Sequence, residues 1–244
     1  MTVRIGVLAG MGPRSTAPFI DLLIDECQQQ YGATYDIDFP EMHIISLPTP
    51  FFPGQALDDQ AMVETLQRGI NDLVNRQVNV IAVPCNLAHC YFSQLQQAAQ
   101  GVPLLHIAET IIPALPSAPA RITLLATEPT LEAGFYQEIL SRAGREVIDT
   151  SVLRNKVTAL IALIKAEGFS APSVVQLWRE LLTTISAMQS THVVIDCTDL
   201  SPLLKSVPAE GLTFIDTSQY LAKATISVYV QAKTNRRGMR NVTM

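Results

Sequence analysis

No uninterrupted apolar run in this chain approaches the ~18 residues that cross a membrane, so neither a spanning helix nor a membrane partner is expected. Positive charge is also scarce. Lys and Arg number 17 against 22 Asp and Glu, and the formal net charge of −5 argues against a nucleic-acid partner. The basic residues Lys233, Arg236, Arg237 and Arg240 gather at the C-terminus and read as a solvated tail. Only four cysteines occur, Cys27, Cys85, Cys90 and Cys197. The segment Ile5 to Ala9 is too short for an export signal, so reduced thiols and a cytoplasmic location are expected. There is no Gly-x-Ser-x-Gly elbow, phosphate loop or His-Glu-x-x-His pair. Cys85, His89 and Cys90 lie close in sequence but match no common zinc spacing, so no metal is expected.

What is present is core-forming sequence. Of the 244 residues, 48% are hydrophobic and 16% charged, enough for one large α/β domain or two smaller ones. Apolar runs at 3–9, 42–47, 78–83, 121–126, 146–148, 192–195 and 213–215 read as strands. Helical patterns lie between them at 15–30, 57–76, 87–99, 108–115, 131–143, 152–166 and 173–189, and a last helix follows Asp216. Continuous hydrophobic strands separated by helices predict parallel sheets covered on both faces. Three prolines in 113–119 mark a linker. On either side the layout repeats in architecture, though not in letters. The expectation is two pseudo-symmetric parallel-sheet α/β domains, 1–115 plus 216–244 and 116–215, with the active site in the cleft between them.

Two segments carry the chemistry. Val80-Ile81-Ala82-Val83-Pro84-Cys85-Asn86 and His192-Val193-Val194-Ile195-Asp196-Cys197-Thr198 each run from β-branched residues into a cysteine, a small polar residue and a helix. A thiol there meets backbone N–H groups and a helix dipole, which favour thiolate. One in each half suggests a pair acting on a carbon from opposite sides. Buried, inert cysteines are the alternative, and Cys27 and Cys90 are read that way. Gly10-Met11-Gly12-Pro13 leads from the first strand into a helix and reads as an anion site, or as a tight turn without a ligand. Its spacing is not that of a dinucleotide fingerprint, and the next strand ends in Ser46-Leu47-Pro48 without an acid for a ribose, so a small carboxylate is expected. His89, one helical turn after Cys85, tunes it or packs the helix. His43, His106 and His192 read as core residues.

These pieces resemble the aspartate/glutamate racemase family, the cofactor-independent amino-acid racemases. The resemblance is carried by Gly10-Met11-Gly12-Pro13 with Ser15-Thr16, Pro84-Cys85-Asn86 with Ala88-His89, and Ala126-Thr127 with Thr130 and Gly134-Phe135-Tyr136. Ile164-Lys165 with Gly168, Cys197-Thr198-Asp199 and Ile215-Asp216-Thr217 complete it, in family order and over nearly the whole length. It implies an isomerase that racemises a small acidic amino acid of the aspartate or glutamate type, without a cofactor, often as a homodimer. Cys85 and Cys197 would be the two bases, acting on the D- and L-forms respectively. The α-carboxylate would meet the Met11 and Gly12 backbone N–H groups, Asn86, Thr127 and Thr198, and Lys165 would help bind the side-chain carboxylate.

The chain also departs from the family pattern. Leu87 stands where threonine is usual, Asp196 where glycine is usual and Asp199 where glutamate is common. The segment that normally supplies an arginine reads Pro50-Phe51-Phe52-Pro53-Gly54. Phe51, Phe52, Leu87 and His89 are therefore expected to line the pocket, and a less acidic substrate is compatible with them. A carboxylate at Asp196 would raise the Cys197 pKa unless it points away. Two alternatives stay open: a related enzyme on small diacids, of maleate isomerase or decarboxylase type, and a non-catalytic carboxylate-binding relative.

Overall fold

The apolar runs assemble into two parallel sheets. In the computed structural model, which describes residues 2–52, 55–117, 120–206 and 211–242, side chains at 205–206 and 237–242 are also left out. Pro53 and Gly54 of the aromatic segment, Ala118 and Pro119 of the linker, and the side chains of Arg237 and Arg240 thus lie outside the described residues. The first sheet is built from β1 (Arg4–Ala9), β2 (Glu41–Ser46) and β3 (Val80–Ala82), in the order β2-β1-β3. Helices α1 (Thr16–Tyr31), α2 (Asp59–Asn75), α3 (Phe92–Ala98) and α4 (Ile107–Thr110) accompany it. The second sheet holds β4 (Arg121–Leu125), β5 (Glu146–Ile148), β6 (His192–Ile195) and β7 (Thr213–Asp216), in the order β5-β4-β6-β7. With it come α5 (Glu128–Ala133), α6 (Phe135–Arg142), α7 (Ser151–Glu167), α8 (Pro172–Ala187) and α9 (Leu203–Ser206). Finally α10 (Thr217–Val242) returns to pack against α1, α4 and β3.

The two sheets repeat one plan. β1 and β4 are central, β2 and β5 flank one side, and β3 and β6 flank the other. A cysteine follows β3 and another follows β6, so the repeat places both thiols at equivalent carboxyl ends. The period of two divides each strand between two buried layers. Ile5, Val7 and Ala9 pack with Phe19 and Leu23 of α1 and Leu221 and Ile226 of α10, while Leu8 faces Met62, Leu66 and Ile70 of α2. In the second sheet Val193 and Ile195 meet Leu160 and Trp178, while Val194 meets Tyr136 and Leu140. A slip of one residue would exchange these layers, so burial on both faces fixes the register.

Local chemistry differs from the sequence reading in three places. The helix expected over 131–143 is two helices, broken at Gly134, whose φ of 74° is left-handed and ends α5. The helix expected over 87–99 opens as a 3-10 turn, Leu87–Tyr91, before α3 begins. His43, His106 and His192, expected in the core, are half-buried: His43 bonds Glu41 at 2.9 Å, and His106 caps α4 by accepting from the Ala108 N–H. No described helix is long and apolar enough to cross a membrane.

Candidate active site

The carboxyl ends of the two sheets border a cavity of about 380 Å³, at the lower end of the ~300–1,000 Å³ common for small-molecule sites. Met11, Gly12, Cys85, Asn86, Leu87, Thr127, Lys165, Cys197 and Thr198 all line it. The glycine turn after β1 forms one wall. Gly10 has a φ of 94°, and a Cβ there would come within 2.4 Å of the Leu47 nitrogen, so only glycine lets the turn lie against the end of β2. Thr16 Oγ1 accepts the Gly10 N–H at 3.1 Å and holds the turn to the start of α1.

The two cysteine turns clasp one another. The amide of Asn86, just after the first cysteine, donates to the carbonyl of Asp196, just before the second. The hydroxyl of Thr198, just after the second cysteine, donates to the carbonyl of Pro84, just before the first, at 3.2 Å. Asn86 also donates to Thr217 Oγ1 at 3.1 Å and accepts the Tyr136 hydroxyl at 2.6 Å. Both amide protons are thus engaged in holding the halves together, which leaves the backbone N–H as the Asn86 donor available to a carboxylate. Thr127 and Thr130 share one hydrogen bond at 2.8 Å, so one hydroxyl proton of the pair stays free. The N–H groups of Met11, Asn86 and Thr198 make no backbone hydrogen bond among the described residues. Free donors from three separate turns that line one cavity form a site for a carboxylate.

Each thiol accepts a local N–H, Cys85 from Ala88 and Cys197 from Asp199, as the strand-end reading requires. Burial outweighs those bonds. It pushes the Cys85 pKa up to about 12 and raises Cys197 well above the ordinary thiol value, with the negative charge of Asp199 adding to both. Burial thus opposes the thiolate that the helix position favours. Asp196 would add to both shifts only when ionised. Its carboxyl is fully buried, neither oxygen has a hydrogen-bond partner, and desolvation raises its pKa well above the usual carboxylate range.

Lys165 reaches the cavity from the last turn of α7, but its ammonium is already matched. It lies 2.9 Å from the Asp199 carboxylate, which also accepts the Ser15 hydroxyl at 3.2 Å. A Cβ on Gly12 would fall 2.7 Å from Asp199 and 2.8 Å from Lys165 Nζ, so glycine makes room for the pair. Phe51 lies over the Lys165 ammonium, 5.8 Å from ring centre to nitrogen.

Two residues expected at the pocket lie elsewhere. Phe52 is 60% exposed and points away, while its neighbour Phe51 takes the wall. His89 is buried behind the site, donating from Nε2 to the Val83 carbonyl at 3.0 Å and stacking on Phe92. Burial lowers its pKa to about 3, so it is neutral. A 3-10 turn has three residues per turn, so a position four beyond Cys85 rotates off the face it would share in an α-helix. Residues the sequence reading left without a role, Arg14, Ser15, Met62, Tyr136, Ile164 and Thr217, either border the cavity or brace its wall. Tyr136 and Thr217 stand in motifs already noticed, but nothing in their spacing announced a bond to Asn86. Among the described residues, no group of three or more His, Cys, Asp or Glu is placed to hold a metal ion.

The Asp/Glu/Hydantoin racemase family model matches residues 8–225. The broad specificity amino-acid racemase RacX of Bacillus subtilis (strain 168) is 42% identical over 227 residues, covering 93% of this chain and 98% of that protein. A glutamate racemase of Deinococcus radiodurans is 24% identical over 196 residues, covering 79% and 67%. Among solved structures, the aspartate racemase of Picrophilus torridus superposes with a TM-score of 0.74 at 20% identity, covering 93% of this chain and 94% of its own. Glutamate racemase from Francisella tularensis, solved with D-glutamate, gives 0.68 at 14% identity, covering 95% and 82%. At these identities the structural likeness speaks for the fold alone.

Proposed function

The chain belongs to the Asp/Glu/hydantoin racemase family and is an amino-acid racemase, and from that premise we propose that Cys85 and Cys197 are its two bases. One, as thiolate, removes the α-proton of the bound amino acid. The other, as thiol, returns a proton to the opposite face. The cleaved C–H pair of electrons stays on the α-carbon and its carboxylate, and each turnover leaves one sulfur protonated and the other not. The observation that carries this reading is that both thiols line one cavity, at equivalent ends of the two sheets.

The protein groups available for the remaining work are donors. The N–H groups of Met11, Gly12, Asn86 and Thr198 and the free hydroxyl proton of Thr127 and Thr130 are suited to an α-carboxylate. They are also suited to the extra negative charge it takes on as the proton leaves. Positioned proton transfer contributes only about 10²–10⁴-fold, so preorganised donors must supply much of the remainder. The reading keeps the expected division of 1–115 plus 216–244 from 116–215, a cytoplasmic location, and a homodimer. Exposed Tyr35, Ile37 and Ile44 near β2 offer apolar surface for a second copy. Lys165 alone speaks for an acidic side chain.

The test is incorporation of solvent deuterium at the α-carbon during racemisation by the intact protein and by Cys85→Ser and Cys197→Ser. The proposal expects exchange by the parent protein and loss of racemisation in both variants. Racemisation at parental rate by both variants would refute the two-base assignment. Conversion of maleate or a malonate, with no exchange on any amino acid, would move the site to diacid chemistry.

A further inference from the structure

The side chains that line the cavity beside the carboxylate donors indicate what kind of substrate side chain it takes. Its charge balance is the key. Lys165 and Asp199 neutralise each other at 2.9 Å, and the Asp199 carboxylate is only 6% exposed and further held by Ser15. A distal carboxylate on Lys165 would set a second negative charge beside Asp199 with one cation between them, and drawing Lys165 away would strand Asp199 inside the protein, a costly exchange. Phe51 over the ammonium and Gly12 beneath the pair hold it where it is. The other cation of the lining, Arg14, is exposed and rests against Gly168 at the end of α7, where water screens it. A cationic side chain fares no better. Asp199 is already matched, and the Asp196 oxygens are sealed from the cavity.

The apolar part of the lining is Met11, Pro48, Phe51, Met62, Leu87 and Ile164, and Ser46 and Thr49 beside it are uncharged. Leu87 offers a methyl surface in the turn directly after Cys85 and Asn86. Resting on the racemase reading above, we propose that the preferred substrate is an amino acid with an uncharged, apolar side chain of methionine or leucine type. Phe51, Leu87 and the closed Lys165–Asp199 pair set that preference. The physical logic is asymmetric. An apolar side chain gains from covering apolar wall and disturbs no ion pair. A charged one must be desolvated with no free partner to receive it.

The experiment uses the intact protein and five amino acids: L-methionine, L-leucine, L-aspartate, L-glutamate and L-lysine. Each is followed by α-deuterium exchange for kcat/KM and by calorimetric titration for affinity. The expected result is a kcat/KM for methionine and leucine about tenfold or more above the three charged substrates, with the same order in affinity. Asp199→Asn, which frees Lys165, and Phe51→Arg, which adds a cation, should each raise the aspartate-to-methionine ratio. A ratio taken within one variant cancels any general loss of activity. Preference for aspartate, glutamate or lysine in either readout overturns the proposal, as does an unchanged ratio in both variants or no binding by any of the five. Binding in the expected order without exchange on any amino acid would sustain the side-chain assignment and bring down the racemase mechanism instead.

Discussion

Asp196 is the residue whose replacement should speak most clearly, because its carboxyl has no partner to compensate its burial. In the folded protein desolvation raises its pKa well above the carboxylate range, whereas in the unfolded chain it titrates near the ordinary ~3.9. Above that value the unfolded state has released the proton and the native state still binds it. The native state therefore binds more protons than the unfolded state, and stability falls as pH rises. While the buried carboxyl stays protonated, each pH unit above ~3.9 costs about 1.4 kcal/mol, so the step from pH 4 to pH 6 amounts to about 2–3 kcal/mol. Asp196→Asn keeps the shape, carries no titrating proton and removes this dependence. Near pH 4 the variant and its parent should differ little. As pH rises from 4 the variant should gain on its parent, by up to about 1.4 kcal/mol per pH unit while the buried carboxyl stays protonated. Urea unfolding at closely spaced pH values measures the difference directly. A gap that stays constant from pH 4 to pH 6, or widens in favour of the parent, would show that Asp196 is ionised and partnered in the native protein. The reasoning on its burial would then fail.

Two further predictions follow from the same electrostatics. With Cys85 pushed up to about 12 and Cys197 also raised, thiolate is the minor form at neutral pH, so kcat/KM for racemisation should climb from pH 7 to pH 9, by up to about tenfold per unit. A flat or falling profile over that range, measured by α-deuterium exchange, would mean that one thiol is already ionised in the free protein. Gly12→Ala would place its methyl carbon 2.7 Å from Asp199 and 2.8 Å from Lys165 and must displace the pair. A shift of this kind costs catalysis roughly 100-fold while Tm moves little, and a parental rate would show that the pair's position does not matter to the site.

The fold was legible because burial on both faces writes strands as unbroken apolar runs, and these sequence signals survive without knowledge of partners. Each expected strand has a counterpart in the two sheets, and the repeat of β3 in β6 follows from the two cysteine segments, that of β1 in β4 from the strand and turn that open each half. Legibility ends where a side chain's role depends on something distant in sequence. Phe51 and Phe52 are chemically identical neighbours in an irregular loop, where no period says which of them turns inward. The Lys165–Asp199 pair joins a helix end to a turn after β6, so Lys165 alone reads as a receptor for an acid when its charge is already met. Asn86 is the sharpest case. Its position after a cysteine suggests contact with a ligand, yet its amide bonds Asp196, 110 residues away, and Thr217, 131 away. Thr198 repays that clasp across 114 residues, reaching Pro84. The polar residue after each cysteine is therefore explained by the other cysteine's turn. Removing either should loosen the spacing of the two sulfurs before it weakens any contact with the substrate.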